Sequence, residues 1–386
     1  MSVWMWSGQM AVLLGGIGFL AVFIPLVARQ YRKFGRLSGG RLLISGGVSL
    51  YLTALFTYTL LPLPERSAAW CAAHGVKPNL HWFSWVAEFQ QALGHMTTTR
   101  FFTSFVFLQV AFNVLLFVPW GIMVRSFLHR GFWVAVLSGL AMTVLIETTQ
   151  ATGLWGIYPC AYRTGDVDDI VMNTLGAVIG ALLAPLFGWI PQASSLSATR
   201  HLPRPVTARR RWMGMLIDGF VMTLITLTIV TTYMIAEAIT ETDLPLDDLR
   251  ITVLASTVAW AVVYLWPAAA RWHGGGGSLG MTTVWLTPEW HRDGRPSAGT
   301  LGQRLWRLAV PTLYWVGGSF SGVFGEDIGL LLSLVVMVFG LLCFLLVATT
   351  TTKRGLSGVL SGARMRDLRE LVASQGGTKS ATDRRR

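Results

Sequence analysis

Apolar stretches of about twenty residues recur nine times along the chain, at 9–28, 42–63, 104–124, 132–152, 170–190, 212–236, 251–270, 308–324 and 328–350. A run of that length spans hydrocarbon only as a helix, because each backbone polar group must find its partner inside the segment. The predicted fold class is therefore all-α, a polytopic helical membrane protein with about nine transmembrane helices in two modules. The composition excludes the main alternative. Only 13% of residues are charged and the mean hydropathy is +0.53, whereas soluble domains carry roughly a quarter charged residues. Three cysteines in 386 residues exclude a disulfide-dense secreted scaffold. Residues 1–8 hold no Lys or Arg. The first run is thus expected to remain as a helix rather than be removed as a signal peptide.

The net charge of +12 invites a nucleic-acid reading, but its distribution argues against one. Arg29, Arg32, Lys33, Arg36 and Arg41 crowd the first loop, Arg125 and Arg130 the third, and Arg200, Arg204, Arg209, Arg210 and Arg211 the stretch before the sixth run. Alternate loops are acidic. This asymmetry follows the positive-inside rule. It predicts a membrane protein with its N-terminus outside and its C-terminus in the cytoplasm, its basic groups turned to lipid rather than to nucleic acid. The expected division is a five-helix membrane domain at 1–190 and a basic cytoplasmic linker at 191–211. A four-helix membrane domain at 212–350 and a basic cytoplasmic tail at 351–386 follow. Within the tail, 363–373 is a candidate surface helix. The run Gly274–Gly277 reads as a flexible linker.

Of the 19 Asp and Glu, only Glu147 and Asp218 fall inside the apolar runs. A carboxylate there is costly unless it is paired, protonated or facing water. Around Glu147 gathers a polar set. Asn113 shares a helix face with Phe117, Gln150 lies one turn beyond Glu147, and Asp169 lies one turn before Asn173. Arg163 stands close to Asp166, Asp168 and Asp169. The topology puts Glu147, Gln150, Arg163 and the aspartates on one outer side. Two readings stay open: a structural one, in which Arg163 pairs with one of these acids, and an outward-facing polar pocket for a lipid headgroup, a glycopeptide or a cation. Arg163 amid the acids offsets the charge a metal ion would need, so no metal is expected. Gly176 and Gly180 have the small-xxx-small spacing that lets helices approach closely.

The pattern Asn113-x-x-x-Phe117-x-Pro119-x-Gly121, then Glu147-x-x-Gln150, then Arg163-x-x-Asp166-x-Asp168-Asp169-x-x-x-Asn173-x-x-Gly176-x-x-x-Gly180 resembles the VanZ-like family, over about 41–190. That resemblance implies a small bacterial membrane protein, associated in the name-giving member with low-level teicoplanin resistance. The carried-over positions are Asn113, Pro119, Gly121, Glu147, Gln150, Arg163, Asp166, Asp168, Asp169 and Asn173.

In the second half, Arg211 precedes Asp218 by two helical turns, and Asp293-Gly294 follows the block Gly277-Ser-Leu-Gly280. These residues resemble the RDD family over about 205–350, with Arg211, Asp218 and Asp293 as its Arg and two Asp. Met281 stands where that family usually has Lys. The resemblance implies a membrane module, with cation/proton exchange suggested for some members. Asp218 is expected to face the module interior and contact an arginine: Arg211, Arg304 or Arg307.

Cys71 and Cys160 lie in two outer loops on this topology. Either they form a disulfide over the polar set, or they are two small buried thiols. The chain has no HExxH, paired CxxC or GxSxG, and no cofactor is expected. Three function classes follow. The first is an accessory or resistance protein of the cell envelope, with membrane lipids and a lipid-linked or glycopeptide ligand as partners. The second is a transporter using Glu147 and Asp218. The third is a membrane enzyme using the Asp166/Asp168/Asp169 cluster. An enzyme needs a nucleophile or metal, and neither is evident, so catalytic residues are unassigned.

Overall fold

The computed structural model describes residues 3–61, 63, 66–188, 198–240, 246–292, 294–320 and 326–370. Among them, seven helices are long and apolar enough to cross a membrane: Gly39–Leu60, Phe105–Phe127, Phe132–Ala151, Val167–Phe187, Ala208–Glu237, Asp248–Ala269 and Asp327–Thr349. The two other predicted runs fall on helices α1 (Val3–Phe34) and Ala309–Phe320, which adjoin residues outside the described set. The protein is an all-α polytopic helical membrane protein, and large apolar side chains such as Phe105, Trp133 and Leu186 remain exposed on its helices.

Two compact units make up the chain. The first comprises Met1–Phe23 and Ser38–Gln192, the second Ile24–Leu37 and Ala193–Arg386. One division between the units falls between Gln192 and Ala193. Residues 24–37, however, expected in the first domain, go with the second.

In the first unit, α2 (Gly39–Leu60) is capped by the Ser38 side chain, which accepts from the Arg41 amide. Short helices α3 (Ala68–His74), α4 (Ser84–His95) and α5 (Thr98–Phe102) precede α6 (Phe105–Ile122), α7 (Phe132–Ala151) and α8 (Val167–Leu183). Pro119 lies inside α6, which runs on as a π-helical turn at Met123–Phe127. A ring nitrogen with no proton cannot complete the ladder there. The core joins Leu55, Phe117, Trp120, Ala135, Ile146, Ala177 and Ala181. At Gly180 a single methyl would collide with the Val118 carbonyl of α6. Glycine at this position is what allows the α6 and α8 backbones to meet.

In the second unit, α9 (Ala208–Thr240), α10 (Asp248–Trp260) and α11 (Trp266–Ala269) lead to α12 (Leu279–Thr283). A three-stranded antiparallel sheet follows, in the order β2 (Arg295–Ser297), β1 (Leu286–Arg292), β3 (Arg364–Asp367). The unit also contains α13 (Leu301–Trp306), α14 (Ala309–Phe320), α15 (Glu326–Thr349) and α16 (Gly355–Ser361). Three expectations are corrected here. The glycine run is not a free linker: Gly275, Gly276 and Gly277 are buried. A Cβ on Gly276 would stand 3.1 Å from Arg304 Cδ and Ala268 Cα. Within the candidate surface helix at 363–373, residues 364–367 are instead strand β3 with the Asp367 side chain fully buried, because β1 offers it an edge to pair with, and 371–373 lie outside the described residues. The stretch after 350 is therefore part of the folded unit as far as Glu370.

Asp367 explains why this segment is held. Its carboxylate accepts from Arg210 Nη2 at 3.0 Å, Arg369 Nη2 at 2.6 Å and Nε at 2.8 Å, and the backbone amides of Arg369 and Arg204 at 3.0 and 3.1 Å. Burial alone would raise its pKa. The Arg369 hydrogen bonds and the Arg210 charge outweigh that, so it lies below its ordinary 3.8. Nearby, the guanidinium carbons of Arg32, Arg200 and Arg369 sit 5.1, 5.6 and 5.3 Å from the Trp285 ring centroid.

Candidate functional site

The polar set of the first unit assembles where α6, α7 and α8 meet the segment 75–85. Asp166 is the N-cap of α8, its side chain accepting from the Asp168 amide at 2.8 Å. Its other oxygen accepts from Asn79 Nδ2 at 3.0 Å. Asn79 also receives the Val167 amide on its carbonyl and donates its own amide to Gly165, a short parallel bridge. Asp168 is occupied by donors of the protein itself. It accepts from the Phe83 amide and the Ser84 hydroxyl at 2.6 Å each, and from the Trp85 amide at 3.2 Å. In this way it holds the start of α4. Cys71 and Cys160 are joined by a disulfide with their Cα atoms 5.8 Å apart, which ties α3 to the same segment of chain.

Arg163 departs from expectation. No ion pair links it to Glu147, Asp166, Asp168 or Asp169 among the described residues. Its Nη1 donates instead to the carbonyls of Tyr58, Thr59 and Leu61, at 2.6, 3.2 and 3.2 Å. The end of α2 leaves carbonyls without intrahelical partners, and a guanidinium that reaches several of them at once satisfies that need. Gln150 shares the task, donating to Thr59 O at 2.7 Å. The Tyr162 hydroxyl donates to Leu60 O at 2.8 Å. Burial raises the Tyr162 phenol above its usual 10.0, against the opposing charge of Arg163.

Among the described residues two carboxylates have no ion pair, the Arg163 charge reaching Glu147 only at longer range. Glu147 is 6% exposed and accepts the Asp166 amide at 2.9 Å. Gly165 makes this approach possible, since a side chain there would stand 2.7 Å from Ala151 Cβ and 2.8 Å from Glu147 O. Asp169, half-buried, accepts from Asn113 Nδ2. The two acids lie near enough to act on each other electrostatically. One turn deeper, Asn173 donates to Thr143 Oγ1 at 2.9 Å, while its own Oδ1 is buried with no partner among the described residues. The remaining arrangement is rich in acceptors: Glu147, Asp169 and the Asn173 carbonyl. It suits a ligand that brings ammonium or hydroxyl donors. Among the described residues, no cluster of three or more His, Cys, Asp or Glu is placed to hold a metal ion.

Residues 48–188 match the VanZ/LLP1 family model. The matched stretch contains all the residues just described. The match includes no residue of the second unit. No curated protein and no solved structure matches the chain. Asn79, Ser84 and Thr143 belong to the site but were not among its sequence candidates. Asn79 and Ser84 lie more than 80 residues from the aspartates they contact. A hydroxyl or an amide in a polar loop carries no sequence signal of such a partner.

In the second unit Asp218 is 2% exposed and faces inward. Its direct partners are not arginines, as expected, but the Ser278 hydroxyl and the Gly280 amide, both at 2.6 Å. The serine caps α12, and the absence of a side chain on Gly280 lets that amide come so near. Arg211 and Arg307 act on Asp218 only at longer range. Asp293, the third residue of the sequence motif, lies outside the described residues.

Proposed function

We propose that the VanZ-like region binds the headgroup of a lipid or glycopeptide through its amine or hydroxyl donors, as an accessory or resistance-type protein of the bacterial cell envelope. The observation that carries this is the pair Glu147 and Asp169. Both are held within apolar helices with no cationic partner among the described residues, beside an acceptor on Asn173 that is also unfilled. Buried charge is tolerated in a membrane where a ligand or pathway uses it. Asp166, Asp168 and Arg163 serve that site by fixing its walls, since their own groups are occupied by caps and carbonyls. The charge asymmetry of the loops supports an N-out, C-in orientation in the inner membrane, which turns this site outward. The RDD-like reading of the second unit is part of the same proposal. It is supported by Arg211 and Asp218 lining one cavity.

The test is thermal unfolding of the purified full chain in neutral detergent, titrated with teicoplanin and separately with a neutral diglucosyl lipid. One of the two should raise the unfolding temperature of the wild type, and the rise should vanish in Glu147→Gln and in Asp169→Asn. No rise with either probe, or an undiminished rise in both variants, would overturn the reading.

A further inference from the structure

A cavity of about 640 Å³ opens within the second unit, in the range of roughly 300–1,000 Å³ typical of small-molecule sites. Its polar end carries Arg211, Arg307, Asp218 and Ser278, and its walls are apolar, among them Met222, Phe339 and Val347. The arginines are the unexplained part. Each is only 5% exposed. Among the described residues the Arg211 side chain makes no hydrogen bond, and its buried Nε has no partner. Arg307 donates to the Gly276 carbonyl at 3.0 Å and touches Met281 Sδ at 3.5 Å, and its Nε too is unfilled. The single acid at this end, Asp218, is already satisfied by Ser278 and Gly280. Two guanidiniums close enough to act on each other therefore share one carboxylate. That leaves an uncompensated positive charge and a set of empty donors facing the cavity. A buried guanidinium with empty donors is strongly unfavourable, and its fork matches the oxygens of a phosphate or carboxylate.

We propose that this cavity binds an anionic amphiphile, its phosphate or carboxylate head between Arg211 and Arg307 and its acyl chain along the wall of Met222 and Phe339. A free anion would meet the charge but leave the apolar length of the cavity unused. A neutral lipid would fill the length but leave the arginines unpaired. The proposal concerns the second unit alone and stands or falls separately from the reading of the VanZ-like site.

The experiment is native mass spectrometry and thermal unfolding of the full chain in neutral detergent. Palmitate, phosphatidylglycerol, phosphatidylcholine and sodium phosphate are supplied one at a time. Palmitate or phosphatidylglycerol should remain bound and raise the unfolding temperature, while phosphatidylcholine and phosphate should do neither. Arg211→Gln and Arg307→Gln should each weaken that binding by roughly tenfold or more. Arg250→Gln, at an exposed arginine whose guanidinium pairs with the exposed Asp247, should leave it unchanged. Gly219→Leu keeps both arginines. A Cβ at Gly219 meets nothing within 4 Å, so this variant should fold and still lose the ligand by obstruction. Equal retention of phosphatidylcholine and phosphatidylglycerol would overturn the proposal. So would binding of phosphate as tight as that of the lipid, or a Gly219→Leu protein that folds and binds as well as the wild type.

Discussion

The two units bury their charges in opposite ways. In the first, Asp168 is satisfied entirely by neutral donors, two amides and a hydroxyl, and a disulfide ties the same stretch together. In the second, Asp367 is satisfied by two arginines as well as amides. The leftovers are opposite too. Among the described residues, the first unit retains acceptors that no cation fills, and the second retains guanidiniums that no anion fills. A membrane protein can therefore hold a structural carboxylate by either means, and function is better read from the group left over than from the group that is paired.

The largest expected effect comes from the covalent tie. Replacing both Cys71 and Cys160 by serine removes a closure spanning 89 residues. The chain-entropy ceiling for such a loop is about 4–5 kcal/mol, reduced here because helices that stay inserted are already constrained. Reduction should lower the unfolding temperature and speed hydrogen exchange at 68–95, with exchange at 364–370 unchanged. Equal loosening of both segments would remove the contrast between the units.

Asp367→Asn should cost about 3–5 kcal/mol, because it strands the Arg210 and Arg369 charges in a buried place. Asp168→Asn strands no charge and should cost less, about 1–3 kcal/mol. Urea unfolding of the two variants in the same detergent checks the order, and a reversed order would break the comparison. Acid sharpens it further. Because the folded pKa of Asp367 is depressed, its contribution to stability is fully present above 3.8 and is lost as pH falls through the lower folded value. Exchange at 364–370 should therefore rise in that window.

The smallest effect is expected at Arg163. Arg163→Gln frees carbonyls at the end of α2 and should cost about 1–2 kcal/mol, with Arg163→Lys the milder change because an ammonium carries three donors for those carbonyls. Stability unchanged in Arg163→Gln would return this residue to the list of candidate ligand groups.

Much of this was legible in the sequence, for physical reasons. Hydrocarbon forces long apolar helices, so the spans are visible as runs, and an acid inside a run is conspicuous, which is how Glu147 and Asp218 were found. The small spacing of Gly176 and Gly180 likewise announces a close helix approach. What stayed hidden were partners chosen by the fold. Arg163 sits three residues from Asp166, and nearness in sequence suggested an ion pair. The carbonyls at the end of α2, about 100 residues away, have the stronger need. Asp218 was expected to find an arginine, but Gly280 brings an amide nearer than any guanidinium. Strand β3 was invisible because 364–367 holds a single apolar residue among three charged ones, too short a pattern to tell from a surface helix, and only β1 makes it a strand.

The opposite demands of the two leftover sites are tested most directly by one competition. The full chain in neutral detergent is offered the diglucosyl lipid and phosphatidylglycerol together and examined by native mass spectrometry. The wild type is compared with a Glu147→Gln/Asp169→Asn protein and an Arg211→Gln/Arg307→Gln protein. The first double variant should lose the sugar lipid and keep phosphatidylglycerol, and the second should do the reverse. Loss of the same lipid in both, or of neither, would contradict the account.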